Sequence, residues 1–205
     1  AGARILSRTP ICGNPFPRFA RHRTLRYMTR HRADEHLPYF CTITVLDWLP
    51  VLIEARYIDP ILESLKFCRQ HKGLQLFAFV AMPNHLHLIA AAGDELHVVV
   101  RDFKRFTSRT IHDRLKQDGR QTVLDWLVKA TQRARRQRGE LGLWQDGFHP
   151  QAIHSRAVFE QKLGYLHENP VRKGLVQHPA DWWYSSAAFY EGRRDCCMKM
   201  DQVDW

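Results

Sequence analysis

Short apolar runs and one-sided helical stripes alternate along this chain. Residues 38–46, PYFCTITVL, are β-rich and partly alternating, which predicts a strand. In IDPILESLKFCRQHKG, residues 58–73, Ile61, Leu62, Leu65 and Cys68 recur on one helical face, with Asp59 suited to the N-cap, Pro60 to the first helical position and Gly73 to the stop. Two uninterrupted apolar runs follow, LQLFAFVA at 74–81 and HLHLIAAA at 85–92, parted by the turn-like MPN. They predict a hairpin of central strands. Helical periodicity returns from Asp94 to about Leu115, with Val98, Phe103, Phe106 and Ile111 apolar and Arg101, Lys104, Arg105 and Arg109 mostly facing elsewhere. A second basic helical segment, KATQRARRQR at 129–138, leads into a loop with Gly139 and Gly142. LWQDGFHPQAI, 143–153, reads as a short strand with turns, and a helix capped by Ser155 runs to about Asn169, where Pro170 disfavours continuation.

Composition narrows the class. With 205 residues, 44% hydrophobic and 11% aromatic, the chain can bury one sizeable core. Its longest obvious apolar run, LFAFVAM at 76–82, falls short of the ~18 residues of a membrane span, so a soluble protein is expected. The net charge of +10 and a pI near 9.7 point toward a polyanionic partner. Much of the excess lies in residues 1–33, which hold eight arginines and no Asp or Glu. That stretch is a basic arm, a solvated tail, an expression remnant or sequence upstream of a start at Met28. It has no apolar core of a secretory signal and a single serine, Ser7, which suits a transit peptide poorly. Five cysteines without a C-x-x-C pair fit a reducing cytoplasm better than a zinc knuckle or disulfide frame. The organisation expected is an arm over 1–35, a domain over 36–192 with a helical insert at about 118–140, and a tail over 193–205.

Two constellations carry possible chemistry. In MPNHLHLIA, 82–90, His85 and His87 share one strand face with alpha carbons about 6.6 Å apart, so both imidazoles can converge on one ion. An H-x-H can equally sit on a polar sheet face. With no Cys or acidic residue nearby, the pair suits an open Mg²⁺ or Mn²⁺ site completed by water and phosphate oxygens, rather than structural zinc. In GYLHENPVRKGLV, 164–176, Tyr165 and Asn169 are four apart and share a helical face, while Arg172 and Lys173 can hold phosphate. Alternatively, Tyr165 packs beside its helical neighbours and Asn169 is a C-cap.

Taken in order, PYFCTITVLDW, AMPNHLHLI, the helix with FKRFTSR, LWQDGFHPQAI, YLHENPVRKGLV and WWYSSAAFY resemble the REP-associated tyrosine transposases, HUH-type single-strand endonucleases, over roughly residues 36–190. Leu86, Ile89 and Glu168 depart slightly from the usual pattern. The resemblance implies an α+β, ferredoxin-like antiparallel sheet with helices on one face and the catalytic H-x-H on a central strand. His85 and His87 match the metal ligands, Asn169 the polar residue completing the shell, and Tyr165 the nucleophile. It further implies a metal-dependent enzyme of the bacterial cytoplasm and nucleoid, monomeric or dimeric, that cleaves and rejoins single-stranded DNA near palindromic repeat hairpins through a 5′-phosphotyrosine.

Arg101, Lys104, Arg105, Arg109, Arg172 and Lys173 are candidate backbone contacts, and Trp144, Phe148, Trp182 and Trp183 candidate stacking platforms, each with a core-packing alternative. The competing class is a non-catalytic binder of DNA hairpins or RNA derived from such an enzyme. No RNP-type aromatic signature appears, and the intact His85, His87 and Tyr165 set speaks for catalysis. A hydrolase that uses water as nucleophile leaves Tyr165 without a role.

Overall fold

The computed structural model describes residues 37–134 and 142–203. The expectations for the N-terminal arm and for the basic run beyond Ala134 lie outside the described residues. The elements, in order, are β1 (Tyr39–Thr44), α1 (Ala55–His71), β2 (Gln75–Met82), β3 (His85–Ala91), α2 (Leu96–Gln117), α3 (Gln121–Arg133), β4 (Gln151–Ala152), α4 (Arg156–His167), α5 (Asn169–Arg172) and α6 (Ala187–Tyr190). Short 3₁₀ turns lie at Leu46–Trp48, Gly93–Glu95 and Pro179–Asp181.

The four strands form an antiparallel sheet in the order β2-β3-β1-β4. With one helix between β1 and β2 and helices between β3 and β4, this is the ferredoxin-like plan the chain was expected to adopt. β3 is central: His87 stands between Thr42 of β1 and Val80 of β2. Every residue of β3 is buried, because both faces of the sheet are covered.

One face meets α1 and α2. Cys41, Ile43, Leu86, Leu88 and Ala90 pack there on Ile58, Ile61 and Leu65 of α1 and on Val99, Val100, Phe103 and Ile111 of α2. The expectation of helices on one face holds for this pair, and the late helix adds a layer on the other. Phe40, Val80, Met82, Ile89 and Ala91 meet Phe159 and Leu166 of α4 there. The physical reason is that the sheet carries apolar residues on both sides, with Phe40, Phe77, Val80, Met82 and Ile89 on the α4 side, so neither side is stable against water.

Asp59 does not cap α1. The helix begins one turn earlier, at Ala55, and Pro60 lies inside it. A proline there has no N–H for the carbonyl four residues back, that of Arg56. Arg114 of α2 supplies the missing donor, its Nη1 lying 2.6 Å from Arg56 O. Long-range pairing thus offsets a local penalty that the sequence reads as a helix start.

β2 is the outer strand, and an open edge invites pairing with other chains. Two segments cover it. Ala81 N donates to Tyr184 O at 2.8 Å and Ser186 N to Phe79 O at 2.9 Å. At the other end Leu76 and Asp201 exchange bonds: Asp201 N donates to Leu76 O (2.9 Å) and Leu76 N to Asp201 Oδ2 (2.7 Å). Arg69 grips the same carboxylate through Nη2 (2.6 Å) and Nε (3.1 Å). Met198 and Met200 enter the core beside it. The residues from 193 to 203 are therefore part of the packed unit. Among the described residues, no helix is long and apolar enough to cross a membrane.

Candidate functional site

Strand alternation sends the side chains of His85 and His87 to the α4 face, opposite to Leu86 and Leu88. Their rings meet with centroids 4.6 Å apart at 71°. Each residue is only 6% exposed. Burial disfavours the imidazolium and pushes His85 down to about 4, the positive Lys173 adding to the effect. His87 falls to about 3, first through burial and then through His85, Arg172 and Lys162. Both rings are neutral at physiological pH and carry a lone pair each.

The hydrogen bonds indicate which nitrogen holds that lone pair. His85 Nδ1 lies 2.7 Å from the side-chain oxygen of Asn84, an acceptor, so Nδ1 carries the hydrogen and Nε2 the lone pair. His87 Nδ1 lies 2.9 Å from Thr42 Oγ1, a hydroxyl that can donate or accept; in the tautomer where Nδ1 donates, Nε2 is free to ligate as well. Such partners orient metal-binding histidines and raise their basicity. Sequence reasoning passed over both: Asn84 read only as a turn residue and Thr42 as a strand residue. The signal available was register, since Thr42 pairs directly with His87.

α4 brings Tyr165 to this pair. Ser155 starts the helix, its hydroxyl accepting from Val158 N at 3.4 Å, a cap worth about 1 kcal/mol. Phe159 and Leu166 then seat the helix on the sheet. Tyr165 is 45% exposed, as a group reaching for a ligand must be. Its ring stands 5.6 Å from that of His87 at 65°, and 6.0 Å from Phe40.

α4 ends at His167, but Glu168 keeps right-handed helical dihedrals, so the spacing from Tyr165 to Asn169 stays nearly helical. Asn169 is buried, and its Nδ2 donates to Tyr165 O at 3.2 Å. With the nitrogen engaged, the side-chain oxygen is the atom that can ligate an ion. Arg172 also donates to Tyr165 O, at 2.6 Å, and its guanidinium carbon lies 4.5 Å above the phenol ring. Lys162, not singled out from sequence, lies 4.9 Å over the Phe40 ring and bonds Gln151 Oε1 at 2.9 Å. The surroundings of the histidines are thus cationic.

Among the described residues no cluster of three or more His, Cys, Asp or Glu side chains could hold an ion by itself. The donors that do lie together are the two neutral imidazoles, with ring centroids 4.6 Å apart. They fit a divalent cation that keeps positions for water or phosphate oxygens, and not a closed structural zinc cage.

The structure separates the remaining candidates. Arg101, Lys104, Arg105 and Arg109 belong to α2, on the far face of the sheet, and are not part of the histidine cluster. Lys104 bonds the carbonyls of Gln145 (3.0 Å) and Gly147 (2.7 Å), and Arg101 pairs with Asp102 at 3.1 Å. Arg105 and Arg109 are exposed. Of the aromatics, Trp144 is core, 2% exposed with its Nε1 donating to Thr107 Oγ1 at 2.8 Å. Trp182 donates to Ala81 O at 2.9 Å, Phe148 packs against the core, and Trp183 is 39% exposed.

No family model matches the chain. A protein of Haemophilus influenzae named "Putative REP-associated tyrosine transposase" is 25% identical over 170 residues, covering 82% of this chain and 86% of that protein. The solved structure of a REP-associated tyrosine transposase bound to a REP hairpin aligns with a TM-score of 0.59 at 17% identity, covering 88% of this chain and 95% of the other. At that identity the likeness speaks to the fold. In sequence and in fold, the chain is similar to the REP-associated tyrosine transposases.

Proposed function

We propose that this protein is a metal-dependent endonuclease and transposase of single-stranded DNA, acting beside palindromic hairpins through a 5′-phosphotyrosine. The observation that carries the reading is the meeting of an exposed phenol, Tyr165, with two buried neutral imidazoles, His85 and His87, on one face of the sheet. A water-based hydrolase gives that phenol no task. The similarity to a transposase that binds a REP hairpin supports the hairpin as partner.

The Tyr165 hydroxyl loses its proton to solvent as its oxygen attacks phosphorus in line. A P–O bond to Tyr165 forms, the P–O3′ bond breaks, and the 3′ oxygen leaves and takes up a proton. The bond energy is conserved, so a later 3′-hydroxyl can reverse the step without a nucleotide cofactor. His85, His87 and Asn169 would hold a Mg²⁺ or Mn²⁺ ion, which when bound would offset charge developing on the phosphate oxygens. Thr42 and Asn84 orient the imidazoles. Arg172 and Lys173 hold the phosphate, the guanidinium exchanging its position over the ring for the phosphate oxygens.

The test is incubation of the full chain with a single strand carrying a repeat hairpin, with and without Mn²⁺, followed by denaturing electrophoresis. A 3′-labelled strand should stay with the protein and a 5′-labelled one should be released, only when metal is present. Nicking without any denaturation-resistant adduct would overturn the mechanism. Hairpin binding with neither nicking nor adduct would favour the non-catalytic binder.

A further inference from the structure

We infer that Trp48, together with a depression lined by Leu49, Trp126, Lys129 and Arg133, is a stacking track for unpaired bases of the strand that enters the site. Its occupant is a single-stranded nucleic acid, and the inference rests on the reading of the histidine face as a single-strand DNA site. Trp48 is 56% exposed and Trp126 48% exposed, although indoles are among the side chains that gain most from burial. The depression that Trp126 lines, together with Leu49, which follows Trp48 in the chain, has a volume of about 230 Å³.

Trp48 is tied to the candidate site from two sides. Its ring stands edge-on to His85, centroids 5.7 Å apart at 66°. Its carbonyl accepts from Asn84 Nδ2 at 3.3 Å, and the same amide's oxygen takes the His85 Nδ1 hydrogen. The Asn84 side chain thus links the exposed indole to the ring proposed to ligate metal.

Its backbone carries a cost. Asp47 (φ 50°) and Trp48 (φ 57°) are, among the described residues, the non-glycine residues with left-handed φ. Side chains disfavour that region, so the surroundings must impose it. Arg133 of α3 does so through the Asp47 carboxylate, its Nε lying 2.9 Å from Oδ2. A conformation that is costly, and that leaves a large aromatic in water beside the site, is explained by a ligand's ring better than by core packing.

Chemistry names the occupant. A base offers a π-face to either indole whatever its identity, and Lys129 on the rim of the depression suits a phosphate between bases, Arg133 being held by Asp47. Trp48 is the first platform, next to His85, and the depression with Trp126 continues the track beyond Leu49.

The test measures binding of an oligothymidylate single strand, which forms no hairpin, to the full chain in EDTA, where cleavage cannot intrude. Wild type should bind with quenching of tryptophan fluorescence. Trp48→Ala and Trp126→Ala should each weaken binding about tenfold or more, in line with stacking on one base. Trp48→Phe should recover most of the loss, and a blunt duplex should bind all variants alike. Melting temperatures establish that the variants fold, and if Trp48→Ala does not, Trp126→Ala and Trp48→Gln carry the same comparison. Folded variants with wild-type affinity would overturn the inference, as would loss of self-association with unchanged DNA affinity, which would assign the patch to a second copy of the chain. Because this arm is run without metal, its outcome is independent of whether the protein forms a covalent adduct.

Discussion

The phenol of Tyr165 stands 5.6 Å from the imidazole of His87, ring centre to ring centre, although one side chain comes from α4 and the other from the middle of the sheet. Two independent anchors hold this distance. His87 is fixed by its place between Thr42 and Val80, and Tyr165 by the seating of Phe159 and Leu166 on the same face. Phe40 packs on both rings, with centroids 5.1 Å from His87 and 6.0 Å from Tyr165.

Metal affinity should depend on residues that do not touch the metal. Thr42→Val removes the partner of His87 Nδ1, and Asn84→Ala that of His85 Nδ1. Each should weaken Mn²⁺ binding about 10- to 100-fold while the fold persists. Titration calorimetry or Mn²⁺ paramagnetic resonance reads the change directly, with His87→Ala as the reference for full loss. Wild-type affinity in both variants would mean that the imidazoles are oriented by packing alone.

Acid should destabilise the metal-free protein. Burial holds His85 at about 4, His87 at about 3 and His167 at about 4, all below the ordinary 6.5 of an unfolded histidine. Below pH 6.5 the unfolded chain therefore binds more protons than the folded one. The stability these neutral rings contribute is complete above that pH and is lost as pH falls toward 4, by about 1.4 kcal/mol per pH unit for each ring at most. Urea midpoints measured in EDTA at pH 7.5, 6 and 5 should fall steadily. His167→Gln, which can keep a bond to Ser186, should make the decline shallower. A midpoint constant from pH 7.5 to 5 contradicts the burial argument.

Much of this was legible in the sequence, and the reasons differ by element. The hairpin was, because two apolar runs around Pro83 and Asn84 leave little else for the chain to do. The histidine pair and the capped helix bearing Tyr165 were legible as local patterns, and their nearness only through the family resemblance. Three features were not. The start of α1 depended on Arg114 reaching the Arg56 carbonyl, a contact 58 residues away that no local rule contains. The side of the sheet taken by the α2 cations was not legible either, because charge alone does not say on which face a helix packs. Trp48 was missed because LDW reads as the end of a strand, and its exposure follows from a left-handed backbone that non-glycine residues seldom adopt.

The last residues should behave as part of the sheet. Asp201 accepts from Leu76 N and from Nε and Nη2 of Arg69, so Asp201→Ala leaves an edge N–H without its acceptor and Arg69 with only its bond to Lys199 O. The expected loss is about 1–3 kcal/mol, tempered because both side chains are partly exposed. Truncation after Arg194 should cost more, since Met198 and Met200 also leave the core, and it should bare the Leu76 end of the β2 edge. Urea midpoints read the first effect and light scattering the second. A truncated chain as stable and as soluble as the full one would show that the edge needs no cover.

Tyr165→Phe isolates the chemistry most sharply. It removes one oxygen and keeps the ring, so the contacts with His87 and Phe40 and the guanidinium of Arg172 over the ring should all persist. Mn²⁺ affinity and hairpin affinity should therefore stay within about twofold of wild type, while the phosphotyrosine adduct disappears and nicking falls by orders of magnitude. Arg172→Ala should do the converse, weakening DNA binding while a slower adduct still forms, because the nucleophile remains. Quantified adduct on denaturing gels, set against binding measured in the same metal, separates the two outcomes. If the Phe variant nicks as fast as wild type, another nucleophile is at work, and the pairing of His87 with Tyr165 is packing and not mechanism.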